Sequence, residues 1–427
     1  MGPGKGLLRH RVRDAVGGIV PGVKVREIGQ LIRMRPVELD AARRRLARCH
    51  DIHELRTRAR RLIPRPVFDY VDGGADEELS IRANREAFTR WRFVPRALVD
   101  VSAPDTSARV LDRALPLPLV LGPTGFTRMV HPAGEIGVAR AAERSGLPYT
   151  LSTMATTSIE DLAAATDPDR WFQLYILKDS GLNSELVDRA AACGYRVLVV
   201  TIDTAVAGHR SRDQRNGLII PPELTARSIA SIASRPGYWI RMLRSPAIVF
   251  ANFAAGHPSM TIEEIIALFS PAITWDDIAA LRERWTGKLV IKGPLGAADA
   301  ARAVGAGADG VQLSNHGGRQ LDRAVPPADL ITEVRDAAGP GLSVLVDSGI
   351  RHGADIATAI ALGADACVIG RAYLYGLMAG GEPGVDKALD LLTTQFRRTL
   401  QLLGVTSVAE LRKHGHELLT RVHPDIA

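Results

Sequence analysis

The sequence predicts an α/β protein built around a closed (β/α)8 TIM barrel, with an N-terminal helical cap and a long loop after the fourth strand. Eight short apolar segments recur, and most are followed by polar or glycine residues and then an alanine-rich helical stretch. Strands that alternate with such helices are typical of βαβ units and a parallel sheet. Eight units favour a closed barrel over an open sheet. The segments are residues 117–121, 149–152, 171–175, 197–201, 289–291, 310–313, 343–346 and 366–369.

The first 50 residues differ in charge from the rest of the chain. Residues 1–50 contain 12 Lys or Arg and 4 Asp or Glu, whereas the whole chain of 427 residues has a formal charge of +7. The basicity therefore belongs to this extension, and the remainder is close to neutral. Such an arm fits contact with anionic lipid, nucleic acid or an acidic partner, and it equally fits a solvated extension.

Cysteine usage and hydropathy exclude several classes of protein. Cys49, Cys193 and Cys367 are widely separated and form no CxxC pair, so neither a disulfide framework nor a zinc site is predicted. No apolar run is long enough for a transmembrane helix, and the N-terminus lacks an apolar signal core. We expect a cytoplasmic protein without a bound metal. A peripheral contact with the inner face of the cell membrane is left open.

The predicted organisation has four parts. Residues 1–50 form the basic extension, 51–115 a cap of helices and short strands, 116–405 the barrel, and 406–427 a C-terminal tail. In the cap, helical patterns cover ELRTRARRLI and RPVFDYVDGGA, and a third helix is predicted from residue 77 to about 89. Short strands are predicted near residues 91–102 and 107–111.

The interval between the fourth and fifth strand segments is much longer than a βα loop requires. Its insertion, at about residues 204–273, contains ARSIASIASRPGYWIRMLRSPAIVF, which mixes Arg with aromatic and aliphatic residues and has no acidic residue. A long loop of this kind covers or shapes an active site. The composition also fits an interfacial contact with a membrane, and a helical lid or a contact between subunits is the alternative.

The last two strands of the predicted barrel end in groups that suit a phosphate. In this fold, phosphate groups bind in the loops after strands seven and eight. Backbone N–H groups and two guanidinium groups there match a phosphate monoester. The residues concerned are Asp347, Ser348, Gly349, Arg351, Gly370 and Arg371.

Other strand ends suit the ring system of flavin mononucleotide (FMN). Gln173 and Thr201 are candidates to bond the pyrimidine ring, and Lys292 to place a positive charge beside flavin N1 and O2. A fixed cation there stabilises the anionic reduced flavin. A surface lysine at a strand end is the alternative for Lys292. Main-chain contacts near the reactive edge are expected from Pro123, Thr124 and Gly125.

His316 is the predicted proton acceptor, because the pKa of an imidazole lies near neutrality. Asp203, which also follows a strand, is a candidate to pair with the ring and stabilise the imidazolium. Arg319 and Arg210 lie a few residues beyond these two groups. Two arginines near a base predict a clamp for a small carboxylate.

Two tyrosines complete the predicted catalytic set. Tyr175 lies at the end of the third strand segment, and Tyr70 lies in the cap. Both are candidates to bond a substrate hydroxyl or carboxylate. For Tyr70, which is outside the barrel, a buried packing role is the alternative.

The segment SNHGGRQLD, residues 314–322, resembles the active-site signature of the FMN-dependent α-hydroxy acid dehydrogenase/oxidase family. The resemblance extends from about residue 51 to 403 and includes FDYVDGGA, PTGFTRMVHPAGE, LSTMATTSIED, WFQLY, TIDTAVAGHR, LVIKG and VDSGIRHGADI. Within the family, PTGFTRMVHPAGE and GRAYLYGLMAGGE are most similar to bacterial L-lactate dehydrogenases of the quinone or cytochrome type. Gly125 and Met154 stand where glycolate oxidases carry Ala and Trp, and they disfavour an oxygen-using glycolate oxidase.

The resemblance implies FMN as the cofactor and a role for each matching residue. His316 is implied as the catalytic base with Asp203 as its partner, and Lys292 is implied to lie near flavin N1. The residues implied to contact the substrate are Tyr70, Tyr175, Arg210, His316 and Arg319. The residues implied to contact the flavin, its ribityl chain or its phosphate are Ser152, Gln173, Thr201, Ser314, Asp347, Arg351, Gly370 and Arg371.

The predicted function is FMN-dependent oxidation of L-lactate, or a close L-2-hydroxy acid, to the 2-oxo acid, with electrons passed to quinone or another carrier. One alternative is an oxygen-using oxidase or monooxygenase, and another is oxidation of a larger or peptide-derived hydroxy acid. A flavin-binding or membrane- or nucleic-acid-associated protein without turnover is a third, which His316 and Arg319 disfavour. Members of this family are commonly tetramers, so we expect a homo-oligomer. Nucleic acid is not an expected partner.

Overall fold

Eight parallel strands close into a barrel in the order in which they occur along the chain. The last strand pairs with the first, so the ring has no open edge. The predicted (β/α)8 fold is confirmed, and each predicted segment matches a strand to within two residues. The strands are β4 (Leu119–Leu121), β5 (Tyr149–Ser152), β6 (Arg170–Tyr175), β7 (Val197–Thr201), β8 (Lys288–Gly293), β9 (Gly310–Leu313), β10 (Ser343–Val346) and β11 (Ala366–Ile369).

This computed structural model describes residues 40–217, 225–254 and 262–422. Met1–Arg44 and Arg45–Ala427 are separate units. Most of the predicted basic extension, and two stretches of the predicted insertion, therefore lie outside the described residues. The function suggested for the extension stays a prediction.

Helices follow the strands on the outside of the barrel, and side-chain caps fix where several of them begin. Ser158 accepts a hydrogen bond from the backbone N–H of Asp161, and Asp179 accepts from that of Gly181. Such caps satisfy N–H groups that a first helical turn leaves unpaired. The helices are α5 (Thr127–Val130), α6 (Gly134–Arg144), α7 (Ile159–Ala165), α8 (Ser180–Ala192), α14 (Trp275–Arg284), α15 (Ala297–Gly305), α16 (Pro327–Ala338), α17 (Gly353–Ala361), α18 (Arg371–Gly380) and α19 (Glu382–Leu403).

A hairpin closes the barrel at the amino ends of its strands. It consists of β2 (Ala108–Val110) and β3 (Arg113–Leu115), which pair antiparallel. Its turn residues, Leu111 and Asp112, both have positive φ, as a two-residue hairpin turn requires. Buried side chains of the hairpin pack with Trp171 inside the barrel. Because this end is closed by apolar packing, the open mouth lies at the carboxyl ends of the strands.

The cap is helical, as the sequence indicates. It contains α2 (Ile52–Leu62), α3 (Arg65–Asp72) and α4 (Leu79–Thr89), whereas α1 (Ala41–Ala47) lies in the segment predicted as the basic extension. Strand β1 (Trp91–Phe93) follows and pairs antiparallel with β12 (Leu419–Arg421) near the C-terminus. The segment called a tail on sequence grounds also contains α20 (Val408–Lys413) and α21 (Gly415–Leu418).

The described parts of the insertion after β7 are helical. They contain α9 (Ser211–Arg215), α10 (Ala226–Ala233), α11 (Pro236–Leu243), α12 (Ala251–Ala254) and α13 (Ile262–Ala267). Arg212 of α9 forms ion pairs with Asp69, Asp72 and Glu78 and so ties the start of the insertion to the cap. In the described part of the chain, no helix is long and apolar enough to cross a membrane.

Candidate active site

A base, an acid and a lysine from three neighbouring strand ends meet at the barrel mouth. His316 Nδ1 lies 3.0 Å from Asp203 Oδ1, and Lys292 Nζ lies 3.6 Å from Asp203 Oδ2. The carboxylate and the ammonium are almost completely buried, whereas 24% of the His316 side chain is exposed. Because Nδ1 faces the carboxylate, it carries the proton, and Nε2 is the basic nitrogen directed away from the pair.

Both Asp203 and His316 have a lowered pKa in this cluster, for different reasons. Burial raises the pKa of Asp203, but Lys292 and His316 outweigh burial and hold it at about 2. Burial and the Lys292 charge lower the pKa of His316 below its usual value, while Asp203 partly opposes them. The imidazole is therefore neutral at physiological pH and able to accept a proton.

A tight turn orients His316. The residue has φ +56°, and Gly317 and Gly318 after it are also in the left-handed region. The backbone N–H of His316 donates to Ser314 Oγ at 3.0 Å. The glycines avoid the Cβ strain that this conformation would otherwise cause. The turn is held from outside by Asn84, whose side-chain amide exchanges two hydrogen bonds with that of Asn315.

Two arginines stack on the Tyr70 ring at the edge of the mouth. The guanidinium carbons of Arg319 and Arg210 lie 4.9 and 5.4 Å from the ring centroid. Arg210 also lies 3.0 Å from Asp213, whereas Arg319 donates to the backbone carbonyls of the cap. Burial and Arg210 lower the pKa of Arg319. Two like charges held this close suit an anionic ligand between them.

Tyr175 links the base to the pocket wall. Its hydroxyl lies 3.5 Å from His316 Nε2, and its ring is nearly parallel to the imidazole. Burial and the Asp203 charge raise the Tyr175 pKa well above its usual value, so its hydroxyl stays protonated. The six residues predicted as catalytic thus lie in one region. Tyr70, for which packing was the alternative, is half-buried there and stacks with both arginines.

The ends of β6 and β7 carry buried polar atoms without a partner among the described residues. They are Gln173 Nε2 and Thr201 Oγ1, on side chains that are about 1% exposed. A buried donor without a partner is costly unless a ligand satisfies it. With the Lys292 ammonium close by, these groups fit a planar heterocycle with carbonyl and N–H groups, as FMN has.

The predicted phosphate end is built from backbone turns and arginines. Ser348 and Gly349 have φ of +69° and +108°, and α18 begins directly after Gly370. A helix N-terminus and strained turns present N–H groups that suit a phosphate. Asp347 accepts from Gln312 Nε2 at 2.6 Å, at the side expected for the ribityl chain.

The two arginines expected at the phosphate are already engaged with protein groups. Arg371 donates to the carbonyls of Val71, Gly73 and Gly317 at 2.7–2.8 Å. Arg351 lies over the Tyr375 ring, 5.7 Å from its centroid. Burial lowers the pKa of Arg371 to about 10, so it remains charged near neutrality. In this arrangement Arg371 also fastens the cap to the turn after His316.

Residues Pro123, Thr124 and Gly125 follow β4 and face the loop after β5. A Cβ placed on Gly125 would lie 3.1 Å from Met154 Cβ, so this glycine permits the close approach of the two loops. Thr124 Oγ1 lies 2.9 Å from the Tyr373 hydroxyl.

Glu135 is an important buried group that the sequence reasoning missed. The side chain is fully buried and accepts hydrogen bonds from Thr156 and Thr157 after β5 and from the backbone N–H of Thr127 after β4. In the sequence it resembles any acidic residue in the first turn of a helix.

The insertion supplies three further residues that were not predicted. Asn252 is buried and bonds to the loop after β5. Phe250 packs edge-to-face on Phe126, with ring centroids 4.4 Å apart, and Phe269 stacks on Tyr175 at 4.8 Å. The insertion therefore builds part of the pocket wall. The only signal in the sequence is one polar residue within the apolar stretch IVFANF.

A closed barrel with a buried acid–base pair and partnerless donors for a flavin ring defines a flavin-dependent oxidoreductase. Residues 59–417 match the family described as FMN-dependent dehydrogenase. The chain belongs to this family. The predicted family and the FMN cofactor are thereby confirmed. Within the described residues, no group of three or more His, Cys, Asp or Glu could hold a metal ion.

Relatives with names cover most of the chain. It is 45% identical over 411 residues to a Mycobacterium tuberculosis protein provisionally named as an L-lactate dehydrogenase, with 96% of this chain and 99% of the relative covered. It is 41% identical over 365 residues to (S)-mandelate dehydrogenase of Pseudomonas putida, with 84% and 92% covered.

Solved structures agree with this assignment. A crystal structure described as monotopic membrane protein (S)-mandelate dehydrogenase aligns with a TM-score of 0.84 at 39% identity, with 88% of this chain and all of that chain covered. The protein is accordingly an FMN-dependent oxidoreductase that acts on 2-hydroxy acids, and the prediction of an enzyme is confirmed.

Proposed function

We propose that the protein oxidises L-lactate or a close L-2-hydroxy acid to the 2-oxo acid and passes the electrons to a quinone or another carrier. The observation that carries this proposal is the position of His316 Nε2, 3.5 Å from the Tyr175 hydroxyl and backed by Asp203 on the other side of the ring. A base with that support beside two arginines suits a small hydroxy acid.

His316 acts as the proton acceptor. Its neutral Nε2 takes the proton that the hydroxy acid loses, and the imidazolium that forms is stabilised by the Asp203 carboxylate. The lowered pKa of His316 keeps the base form available before the reaction. FMN, when bound, would supply the acceptor for the hydride equivalent, two electrons and one proton, that leaves the substrate carbon.

Arg319 and Arg210 hold the substrate carboxylate, and Tyr70 and Tyr175 position its polar groups. The two guanidinium groups stack on the Tyr70 ring, and only Arg210 has a carboxylate partner, Asp213, among the described residues. A substrate carboxylate between the two guanidinium groups forms charge-assisted hydrogen bonds. This interaction selects acids over simple alcohols.

The chain's own groups that would hold FMN form two sets. Gln173, Thr201 and Lys292 would bond the ring system. The strand-end residues that would line the ring are Pro123, Thr124, Gly125, Ser152 and Ser314. The residues that would hold the ribityl chain and phosphate are Asp347, Ser348, Gly349, Arg351, Gly370 and Arg371.

Anaerobic reduction of the bound flavin tests the function. The purified yellow protein should lose its visible flavin absorbance on anaerobic mixing with L-lactate, and it should not respond to D-lactate. (S)-Mandelate is the matched second substrate, because Phe126 and Phe250 form an apolar wall that would accept a phenyl group. If mandelate reduces the flavin rapidly while L-lactate and other small hydroxy acids do not, lactate is not the substrate and an aromatic hydroxy acid replaces it in the proposal.

The electron acceptor is tested by the oxidative half-reaction. After reduction by substrate, reoxidation by a soluble quinone analogue should be much faster than reoxidation by air. Rapid formation of hydrogen peroxide in air would instead support an oxidase.

We also propose that the insertion contacts a membrane surface carrying anionic lipid. Ile229, Ile240 and Leu243 on α10 and α11 are 54%, 50% and 81% exposed, and Arg241 and Arg244 lie beside them. Residues 225–254 contain no acidic side chain. Exposed aliphatic groups next to arginines suit the interface of an anionic bilayer. We propose in addition that the protein is a homo-oligomer. Packing of several copies would orient their insertions toward one membrane surface.

Flotation with vesicles tests this contact. Holoprotein should float with vesicles that contain phosphatidylglycerol and much less with neutral ones. Ile240→Glu combined with Leu243→Glu should reduce the bound fraction roughly tenfold, while flavin reduction by substrate is retained. Leu98→Glu is the control, because Leu98 is fully exposed elsewhere. Equal flotation of all three proteins would exclude the insertion as the contact.

A further inference from the structure

We propose that Asn252 is a positioning residue for FMN, which acts through the loop after β5 on the orientation of the Gln173 amide. Asn252 belongs to α12 in the insertion and is 2% exposed. Asn252 lies far along the chain from β5 and β6, yet its side chain forms hydrogen bonds with the end of β5. Asn252 does not touch the atoms of the predicted catalytic set in the described contacts.

All of the side-chain polar atoms of Asn252 are used on one loop. Its Nδ2 donates to the carbonyls of Ser152 and Thr153, both at 3.1 Å, and its Oδ1 accepts from the backbone N–H of Ile159 at 3.0 Å. One amide therefore closes the loop between the end of β5 and the start of α7. The neighbouring backbone N–H of Ala251 also donates to Ala155 of this loop.

The loop fixes Gln173 by two hydrogen bonds. Ser152 Oγ donates to Gln173 Oε1 at 2.9 Å, and Thr153 Oγ1 donates to the Gln173 carbonyl at 2.6 Å. Because Oε1 is the acceptor from Ser152, the Gln173 amide must present Nε2 toward the mouth. That atom is buried and has no partner among the described residues.

The result is a chain of contacts from the insertion to the flavin site. Asn252 holds the backbone at Ser152, Ser152 sets which end of the Gln173 amide is free, and the free Nε2 is a donor for a carbonyl of the flavin ring. Loss of the Asn252 donors would let the Ser152 backbone move. The Gln173 amide would then sample the reversed orientation, with an oxygen toward the ring carbonyl.

Asn252→Asp and Asn252→Ser test this proposal in the holoprotein. The Asp variant is isosteric, retains the acceptor for Ile159 and replaces the Nδ2 donor by an oxygen that faces two carbonyls. Dilution of holoprotein, followed by the fluorescence of released FMN, should show an FMN Kd raised about tenfold, or about 1.4 kcal/mol. The flavin reduction potential and the visible spectrum should also change.

Tyr195→Phe is the matched control. The Tyr195 hydroxyl donates to the carbonyl of Ile159 at 3.1 Å, so this variant removes a buried bond to the same residue without touching Ser152 or Thr153. It should lower the melting temperature but leave FMN affinity, potential and spectrum unchanged. A merely structural role for Asn252 predicts the same pattern for its variants, and that result would overturn the proposal.

Ser152→Ala tests the second step of the chain. It should shift the FMN potential in the same direction as Asn252→Asp. If Asn252 acts through Ser152, the double variant should shift the potential no further than Ser152→Ala alone. Fully additive shifts would show that Asn252 does not act through Ser152 and would refute the proposed path. If Asn252→Asp does not fold, the same comparison is made with Asn252→Ser, alone and combined with Ser152→Ala.

Discussion

The ends of β7, β8 and β9 and the ends of β4 and β5 line the same barrel mouth, but they hold their buried carboxylates differently. Asp203 on the first side is held by the charge of Lys292 at 3.6 Å and by the N–H of His316 at 3.0 Å. Glu135 on the second side is held by neutral donors from two loops, the nearest at 2.7 Å. Both carboxylates are nearly or fully buried.

The two carboxylates have different roles: Asp203 changes the pKa of a catalytic group, whereas Glu135 fixes the position of two loops. The Asp203 carboxylate acts on the pKa of a neighbour, because it raises the pKa of His316 against the lowering effects of burial and Lys292. A carboxylate surrounded by threonine hydroxyl and backbone N–H groups fixes where two loops lie and has no cation to tune. Matched acid-to-amide variants should therefore damage different properties of the enzyme.

The largest expected effect is that of Asp203→Asn on turnover. An amide cannot stabilise the imidazolium as a carboxylate does, so kcat should fall on the order of 100-fold or more. Because the Asp203 charge raises the His316 pKa, its loss should lower that pKa further. His316 is active when neutral, and activity is lost as the pH falls through its pKa. The acid limb of kcat/KM should therefore move to lower pH, which a pH profile with L-lactate measures.

His316→Asn is the comparison for this variant. It removes the base itself, so its residual activity should show no acid limb in the same pH range. If Asp203→Asn kept the wild-type acid limb of kcat/KM, that limb would not reflect the titration of His316.

Glu135→Gln should have its main effect on stability. The amide group places N–H donors where the carboxylate accepts from Thr156 and Thr157, so these hydroxyl groups would have to turn and accept, and their own protons would lose their acceptor. Leaving buried donors unsatisfied costs about 1–3 kcal/mol. We expect a clear fall in melting temperature and weaker FMN retention, with an unchanged acid limb of kcat/KM. A shifted limb with normal stability would contradict the separation of the two sides.

The fold and the charged side of the mouth could be predicted from the sequence for a physical reason. Parallel strands place all their carboxyl ends at one rim, so residues far apart in the sequence, such as Asp203 and His316, must approach each other. Each strand is recognisable in the sequence as a short apolar run that is followed by polar residues. The rim residues were therefore predictable one strand at a time.

The positioning side could not be predicted in this way. The partners of Glu135 and Asn252 are set by how two loops and a long insertion meet, and no repeat or period encodes that approach. Asn252 lies about a hundred residues from Ser152. The pairing of β1 with β12 is a similar case, because strands of three residues carry no recognisable pattern.

Gly125→Ala should have the smallest effect, and it tests how closely the two sides are coupled. The new Cβ would lie 3.1 Å from Met154 Cβ and 3.3 Å from its carbonyl, so the Met154 loop must move by a few tenths of an ångström. That loop is fastened by Glu135 and Asn252, which resist the shift, so Met154 as a whole is displaced only slightly and its flexible side chain adjusts with it. We expect KM for (S)-mandelate to rise less than tenfold, and that for L-lactate to change less.

Gly296→Ala is the matched control for this last variant, because a Cβ there meets no atom within 4 Å. It should leave both KM values unchanged. The acid limb of kcat/KM should be the same in Gly125→Ala as in the wild type, since the His316 environment is not altered. If the limb moved instead, the strain at Met154 would have reached the charged cluster through Ser152, Gln173 and Tyr175, and the two sides of the mouth would act as one coupled unit.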